Sequence, residues 1–272
     1  MGWNKILLTP GNISDNRLIK CITCIRIGLV NKKYQGVRII NKTRWIIVIT
    51  LAAIVVAGLL SAEKIHDYYI KSQLEPQVEL DQAYKNMAAV TSYKYSLLST
   101  FTVEQRKEVI SEVQGEKQDG NTHIKGEMVN TPVDIYYIDR TIYNYDSFAK
   151  KWLVIPSSTS NSEELLISEL NPLSNFRFKQ VSTVEKIGFE VIDGTECLLV
   201  KCKPSVENQL LETMWKDFEY HFWIDFRKGL IKQAQLNAVN KKMTTTRLNV
   251  KVKFFDLNGK IKIKAPDTTV KN

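Results

Sequence analysis

Cys197 and Cys202 are the first candidates for redox or metal chemistry, because nearby thiols can form a disulfide or bind zinc. They lie in VIDGTECLLVKCKP, residues 191–204, just after Asp193 and Gly194. An Asp-Gly pair between two apolar runs predicts a β-hairpin with a type I′ turn. On the return strand the odd spacing puts the two thiols on opposite faces, about 17 Å apart, whereas disulfide Cα atoms lie within about 7 Å. We predict a structural hairpin whose buried thiols pack as small hydrophobic side chains.

The other chemistry-bearing residues form no recognisable site. Cys21 and Cys24 make a C-x-x-C pair with no second pair or histidine nearby, so we interpret them as reduced thiols in a tail. The sequence contains no glycine-rich phosphate loop, no G-x-S-x-G and no H-E-x-x-H. The three histidines are far apart: His66, His123 and His221. We therefore predict no metal, no cofactor and no enzymatic activity.

The net charge of +9 is concentrated near the N-terminus. Residues 1–44 carry nine Lys or Arg and one Asp, so the other 228 residues are close to neutral. A nucleic-acid-binding fold needs its basic excess on the folded part. The pattern excludes nucleic acid as the expected partner and indicates a basic, disordered leader over 1–44.

An uncharged apolar run follows the leader, from Trp45 to Ala62. As a helix, its 18 residues span about 27 Å, which matches a hydrocarbon core of about 30 Å. A cleaved secretory signal is the alternative, but the run is long and lacks a small-residue cleavage site. We predict an uncleaved transmembrane signal anchor over 45–62 and a stalk over 63–77. Because the basic residues precede the run, the N-terminus is expected to be cytoplasmic and the C-terminal domain extracytoplasmic, in a single-pass cell-membrane protein.

Periodicity divides the rest of the chain into helices and strands. A helical pattern after Pro76 places Leu80, Tyr84, Met87 and Thr91 on one side. Strand patterns follow in YKYSLLSTFTV, DIYYIDRTIYNYD and KKWLVIP, and alternating apolar residues predict strands over 220–226, 230–238 and 248–254. Two further helices are predicted, in SNSEELLISEL (160–170) and PSVENQLLETMWKDF (204–218). This order indicates an α+β fold built on one large antiparallel sheet with few helices to cover it.

Three phrases near the C-terminus carry a family resemblance: VIDGTECLLVKCKP, YHFWIDFRKGLIKQ and VKFFDLNGKIKIKAPD. With AYKNMAAVTSYKYS and the hairpin ending in KKWLVI, they resemble LolA-like and LppX-type lipoprotein carriers over residues 78–267. The resemblance implies an open, curved antiparallel β half-barrel with a few helices across its concave side and an apolar cavity. The chain departs from that family because the transmembrane helix replaces a lipobox. No arginine here matches the one that gates cargo in the carriers. Residues 268–272 form a tail.

These features predict a non-enzymatic, membrane-tethered domain that binds a lipid or a lipidated chain. The alternative is a protein-interaction or sensory module of the cell envelope or spore, whose cavity is only core and whose partner is an envelope protein. Each bulky residue of the predicted concave face is either a ligand contact or plain core. The candidates are Tyr95, Leu97, Phe101, Tyr143, Tyr145, Phe222, Ile224, Leu248, Val250 and Val252.

Overall fold

The computed structural model describes residues 42–156 and 170–268, which divide into two units at Asp67 and Tyr68. The first helix, α1 (Lys42–Gln73), contains the predicted anchor. Side chains from Trp45 to Val56 are exposed, and those of 57–61 and 63 lie outside the description. Within the described part of the chain, no helix is long and apolar enough to cross a membrane. Residues 1–41 of the predicted leader (1–44) and residues 269–272 of the predicted tail (268–272) also lie outside the described residues.

The second helix, α2 (Pro76–Ala88), confirms the helical pattern predicted after Pro76. Pro76 occupies the first turn, where its missing N–H would have no helical partner anyway. Leu80, Ala83 and Met87 are buried at the spacing of one helical face. Thr91, which the sequence assigned to this helix, lies beyond its end. The backbone there turns into the first strand.

In the described ranges of the chain, eleven strands form a single antiparallel sheet, which confirms the α+β class. The sheet is open, with β6 and β7 at its two edges and the order β6-β5-β4-β3-β2-β1-β11-β10-β9-β8-β7. All but one of the neighbouring pairs are sequential hairpins, so the first and last strands, β1 and β11, meet in the middle. The strands are β1 Ser92–Val103, β2 Arg106–Gln118, β3 Asn121–Met128, β4 Thr131–Ile138, β5 Thr141–Asp146, β6 Lys151–Pro156, β7 Phe178–Ile192, β8 Thr195–Val206, β9 Trp215–Asp225, β10 Leu230–Asn240 and β11 Thr246–Phe255.

The β7–β8 hairpin has the turn that the sequence predicted. Asp193 and Gly194 have φ angles of 48° and 76°, as a type I′ turn requires. Cys197 and Cys202 on β8 lie on opposite faces, because Cys202 joins the main core while Cys197 packs with Leu199 and Trp223 in a separate cluster. Both thiols are free and buried, as predicted.

The helix predicted over residues 204–218 is mostly wrong. Strand β8 continues to Val206, and the helix α3 is a short segment, Gln209–Met214. The side chain of Asn208 caps it by accepting a hydrogen bond from the Leu211 amide at 3.1 Å. Trp215 then begins β9, where it pairs with Asn240 and its ring lies 5.3 Å from that of Phe101. Strand pairing and burial of Trp215 outweigh the helical periodicity. The helix predicted over 160–170 lies outside the described residues except for Leu170.

We call the sheet face that carries the main core the inner face and the opposite face the outer face. Helix α2 packs on the inner face of β7, β9 and β10. A 3-10 helix (Pro172–Phe176) packs against β10 and is tied to α2, because the Tyr84 hydroxyl donates to the Phe176 carbonyl oxygen at 2.7 Å. The fully buried rings of Phe176, Tyr220 and Phe222 contact one another edge to face. The core is therefore thickest beneath the strands of the C-terminal half.

Candidate functional site

Most of the predicted ligand contacts are packed in the main core. Seven of the ten are buried on the inner face: Tyr95, Leu97, Phe222, Ile224, Leu248, Val250 and Val252. They come together because β1 pairs with β11 and β11 with β10, which aligns Tyr95 with Phe254 and Leu97 with Val252. Phe101 is half-buried and packs against this core at the end of β1.

Tyr143 and Tyr145 do not join the other eight residues. They alternate with Ile142 along β5, and Ile142 belongs to the main core. Because successive side chains of a strand point to opposite faces, the two tyrosines lie on the outer face. The prediction that all ten residues share one face is therefore wrong for these two. Both faces of the β4–β5 hairpin carry apolar side chains, so the sequence pattern alone does not show which face joins the core.

Cross-strand register extends the inner face from the core into strands β3–β6, which we call the wing. Two rows of paired residues cross it, and each begins at a core tyrosine of β1. The first row is Tyr95, Gly115, Ile124, Ile135, Asn144 and Leu153. The second row is Tyr93, Lys117, Thr122, Tyr137, Ile142 and Ile155.

The wing carries apolar side chains that the described helices leave accessible. Leu153 is 39% exposed and Ile155 is 45% exposed, although both lie on the face that elsewhere forms the core. Val133 and Tyr137, on the neighbouring strand β4, are half-buried. The main contacts of the described helices fall on β7–β10, and the edge strand β6 offers accessible apolar side chains on the inner face to an apolar ligand.

Leu153 and Ile155 are not among the ten residues predicted from the sequence. The signal that could have found them is KWLVIP itself, in which four apolar residues follow one another. Such a run predicts a strand that is apolar on both faces. This run forms the edge strand β6. Its apolar side chains can be buried on both faces only if another part of the chain or a ligand packs against the sheet.

Two polar groups lie on the inner face where the wing meets the core. Lys117 on β2 is half-buried, and its ammonium donates to the Asn171 side-chain oxygen at 3.2 Å. Burial lowers the pKa of Lys117, and the positive charge of Arg177 lowers it further. Tyr93, the partner of Lys117 in register, is 3% exposed, and burial raises its pKa. Its hydroxyl has no hydrogen-bond partner among the described residues.

The outer face of the wing carries an aromatic cluster. The His123 and Tyr136 rings stack at 3.9 Å, and Trp152 contacts both Tyr136 and Tyr145 at 5.5 and 5.1 Å. His123 Nε2 lies 2.9 Å from a carboxylate oxygen of Asp134. No described serine hydroxyl or cysteine thiol is hydrogen-bonded to this pair, so nothing in the described part of the chain makes His123 the base of a nucleophile.

Neither the thiols nor the carboxylates suggest catalysis in the described part of the chain. Burial raises the pKa of Cys197 to about 11 and that of Cys202 to about 12, so both are protonated at neutral pH and are weak nucleophiles. Across the described residues, no group of three His, Cys, Asp or Glu side chains could hold a metal ion.

Two open depressions lie on the outer face, and charged side chains line part of both. One, of about 680 Å³, lies over β1, β2, β3 and β11 and is bordered by Lys125, Lys251 and Lys253. The other, of about 720 Å³, lies over β8–β11 and is bordered by Asn237, Asn249 and Arg247. Small-molecule sites are mostly apolar, so the wing fits an apolar ligand better than either depression does.

No family model matches the sequence, and no curated protein sequence is significantly similar to it. Among solved structures, the chain is similar to the Mycobacterium tuberculosis lipoprotein LppX at 14% identity and a TM-score of 0.49, covering 69% of this chain and 97% of that one. Mycobacterium bovis LprF matches at 13% identity and a TM-score of 0.46, covering 70% and 96%. A LolA superfamily protein from Nitrosomonas europaea matches at 8% identity and a TM-score of 0.32, covering 70% and 96%. The structures that this fold is similar to are therefore LppX-type and LolA-like, as the sequence resemblance predicted.

Proposed function

We propose that this chain is a non-enzymatic, membrane-tethered, extracytoplasmic domain that binds a lipid or a lipidated chain on the inner face of its wing. The observation that carries the proposal is the exposure of Leu153 and Ile155 on the same face as the buried core. Burying one such side chain stabilises by about 1.5–3 kcal/mol. An apolar ligand seated along the two rows supplies that burial.

The shape of the sheet supports a ligand rather than a closed core. An open antiparallel sheet with an apolar face needs a cover over its full width. Helix α2 and the 3-10 helix provide it over β7–β10. The wing adds four strands beyond that region, and its first three carry the core residues Ile124, Ile135 and Ile142. A bound acyl chain extends the core beyond these isoleucines, which belong to the two rows.

We also propose that residues 45–62 tether the domain to the cell membrane as a single-pass anchor with a cytoplasmic N-terminus. The support comes from 18 consecutive uncharged residues and from the cluster of Lys and Arg before them. A membrane anchor is compatible with two features of α1. The helix runs from Lys42 through this segment, and its side chains from Trp45 to Val56 are exposed.

The test is lipid extraction from the full-length purified chain, followed by mass spectrometry. We expect a stoichiometric lipid or acyl species in the wild type. The double variant Leu153→Asn/Ile155→Asn should lose it, because two amides on the wing make burial of an acyl chain unfavourable. Val154→Asn is the matched control, since Val154 lies between them on β6, is exposed, and points to the outer face.

Retention of the species by the double variant, or an equal loss in the control, would count against the wing as its site. A wild-type chain that is free of any lipid and fully stable would favour the second candidate function, a protein-interaction module of the envelope. That candidate is favoured by the outer aromatic cluster around Trp152 and by Phe148, which is 96% exposed in the β5–β6 turn.

A further inference from the structure

The second row of the wing joins two polar residues to an apolar surface: Tyr93, whose hydroxyl has no described hydrogen-bond partner, and Lys117, which has no described carboxylate partner. Lys117 and Tyr93 occupy its β2 and β1 positions, and the accessible Ile155 lies at its far end on β6. Neighbouring strands are about 4.8 Å apart, so four strand spacings, or about 19 Å, separate Lys117 from Ile155. That distance is comparable with the length of an extended acyl chain.

Lys117 is a cation without a carboxylate partner among the described residues. Its one described hydrogen bond goes to a neutral amide oxygen, that of Asn171. Other lysines on the sheet are paired, such as Lys94 with Glu116 and Lys201 with Glu185. A half-buried ammonium loses hydration on folding, and a neutral oxygen compensates for less of that loss than a carboxylate does.

Tyr93 supplies a second, independent sign of a missing partner. Its ring packs against Tyr95 and Phe254 at 5.9 and 5.5 Å, which fixes its position in the core. Its buried hydroxyl nevertheless has no described partner. An unpaired buried hydroxyl costs about 1–3 kcal/mol, and a phenylalanine at this position would avoid that cost.

Arg177 adds positive charge at the same border. It directly follows the 3-10 helix, while Asn171, the partner of Lys117, directly precedes that helix. The charge of Arg177 is one of the two causes that lower the pKa of Lys117, the first being burial. Asp81 and Glu207 border the same depression as Arg177, of about 460 Å³, but no described ion pair joins them to it.

We propose that Lys117 and Tyr93, with Arg177 beside them, form a subsite for the anionic headgroup of a lipid whose acyl chain lies along the wing. The proposal rests on the function proposed above and names the ligand class. An anionic oxygen accepts from the Lys117 ammonium and the Tyr93 hydroxyl, so it satisfies both groups at once. The apolar row beyond Thr122 binds the chain. The shared chemistry is a phosphate or carboxylate oxygen, and attachment to an acyl chain distinguishes a lipid from a free anion.

The test uses the full-length chain in a mild detergent micelle and native mass spectrometry. The probes are equimolar dioctanoyl phosphatidylglycerol and dioctanoylglycerol, which share acyl chains and differ in the anionic headgroup. We expect the wild type to retain phosphatidylglycerol at least about tenfold better, the minimum effect of one charge-assisted hydrogen bond. Lys117→Gln should reduce that preference to about one, and Tyr93→Phe should reduce it about threefold or more.

Lys125→Gln is the matched control, because Lys125 is an exposed lysine of the adjacent strand β3 that points to the outer face, and we expect it to keep the preference. Thermal melts separate this role from a structural one. A subsite residue can be replaced without lowering the melting temperature, since Tyr93→Phe removes only an unpaired hydroxyl and Lys117→Gln removes a desolvated charge. Variants that melt lower and keep the headgroup preference would overturn the subsite.

The outcomes also separate the subsite from the function on which it rests. If the wild type retains both probes equally, the headgroup subsite is wrong while apolar ligand binding stands. If it retains neither, both proposals fail. If inorganic phosphate at the same concentration displaces phosphatidylglycerol, the site binds a free anion and the lipid source is wrong.

Discussion

His221 makes the stability of the sheet depend on pH at the scale of one residue. It lies on the outer face of β9, and its Nδ1 atom is buried without a described partner. Burial lowers its pKa, and the nearby carboxylate of Glu219, which would raise it, does not compensate. In the unfolded chain the imidazole titrates near its ordinary pKa of about 6.5. Below that pH the unfolded state binds more protons than the folded state, so the free energy of unfolding decreases as the pH falls.

We therefore expect the urea midpoint of the wild type to fall between pH 7.5 and pH 5.5 by more than that of His221→Gln. Glutamine keeps a polar side chain but cannot be protonated in this range. Urea unfolding of both proteins at the two pH values measures the difference. Parallel pH dependence in the two chains would show that His221 does not contribute.

Position 115 on β2 requires glycine because the Tyr95 side chain lies very close to the backbone there, and not because of a turn. A Cβ atom built at this position would lie 2.1 Å from the Tyr95 ring, which is buried directly over the glycine. Gly115→Ala should therefore destabilise the domain by about 1–3 kcal/mol through overpacking. Gly120→Ala, where nothing lies within 4 Å of the new Cβ, should change stability by less than about 0.5 kcal/mol. Chemical denaturation measures the stability of both variants. Equal denaturation midpoints would show that the Tyr95 ring can move aside.

At the scale of elements, the inner face beneath the helices and the inner face of the wing should respond differently when a large side chain is shortened to alanine. Phe222 on β9 is fully buried beneath α2 and the 3-10 helix, and its ring contacts both Tyr84 and Phe176. Phe222→Ala should reduce the free energy of unfolding by about 3–5 kcal/mol. Leu153→Ala on the wing should reduce it by about 1 kcal/mol or less in the ligand-free chain, because little buried volume is lost.

In lipid retention, the wing variant should lose more than the core variant, which is the reverse of their order in stability. Leu153→Ala should retain less lipid per folded molecule than the wild type, whereas Phe222→Ala should retain as much while it remains folded. Thermal melts combined with lipid analysis measure both properties. A wing variant that unfolds as readily as the core variant would mean that the wing is covered core.

At the scale of the whole molecule, the membrane orientation is open to a direct test. Reporter enzymes fused after residue 30 and after residue 100 flank the proposed anchor on either side. The first fusion should be active only in the cytoplasm and the second only outside, because basic residues before an apolar span stay on the cytoplasmic side. The size of the mature chain is the control, since cleavage near Glu63 would leave no anchor and would contradict the uncleaved tether.

The sequence by itself determined the elements whose residues are set by local chemistry. Asp193-Gly194 fixed a type I′ hairpin, since few other residues tolerate positive φ at both positions. Alternation fixed most strands, and the odd spacing of Cys197 and Cys202 fixed their opposite faces. The helical spacing of Leu80 and Met87 fixed the buried side of α2.

Only the tertiary structure decided which face of each apolar strand is core. Tyr143 and Tyr145 could not be placed by their own pattern, because β5 carries apolar residues on both sides and its pairing with β4 decides which side joins the inner face. The segment at Trp215 became strand, not helix, because β10 offers it backbone partners from far along the chain. The row that joins Tyr93 and Lys117 to Ile155 is likewise a product of register across six strands. Register depends on pairing between distant segments, and no local spacing encodes it.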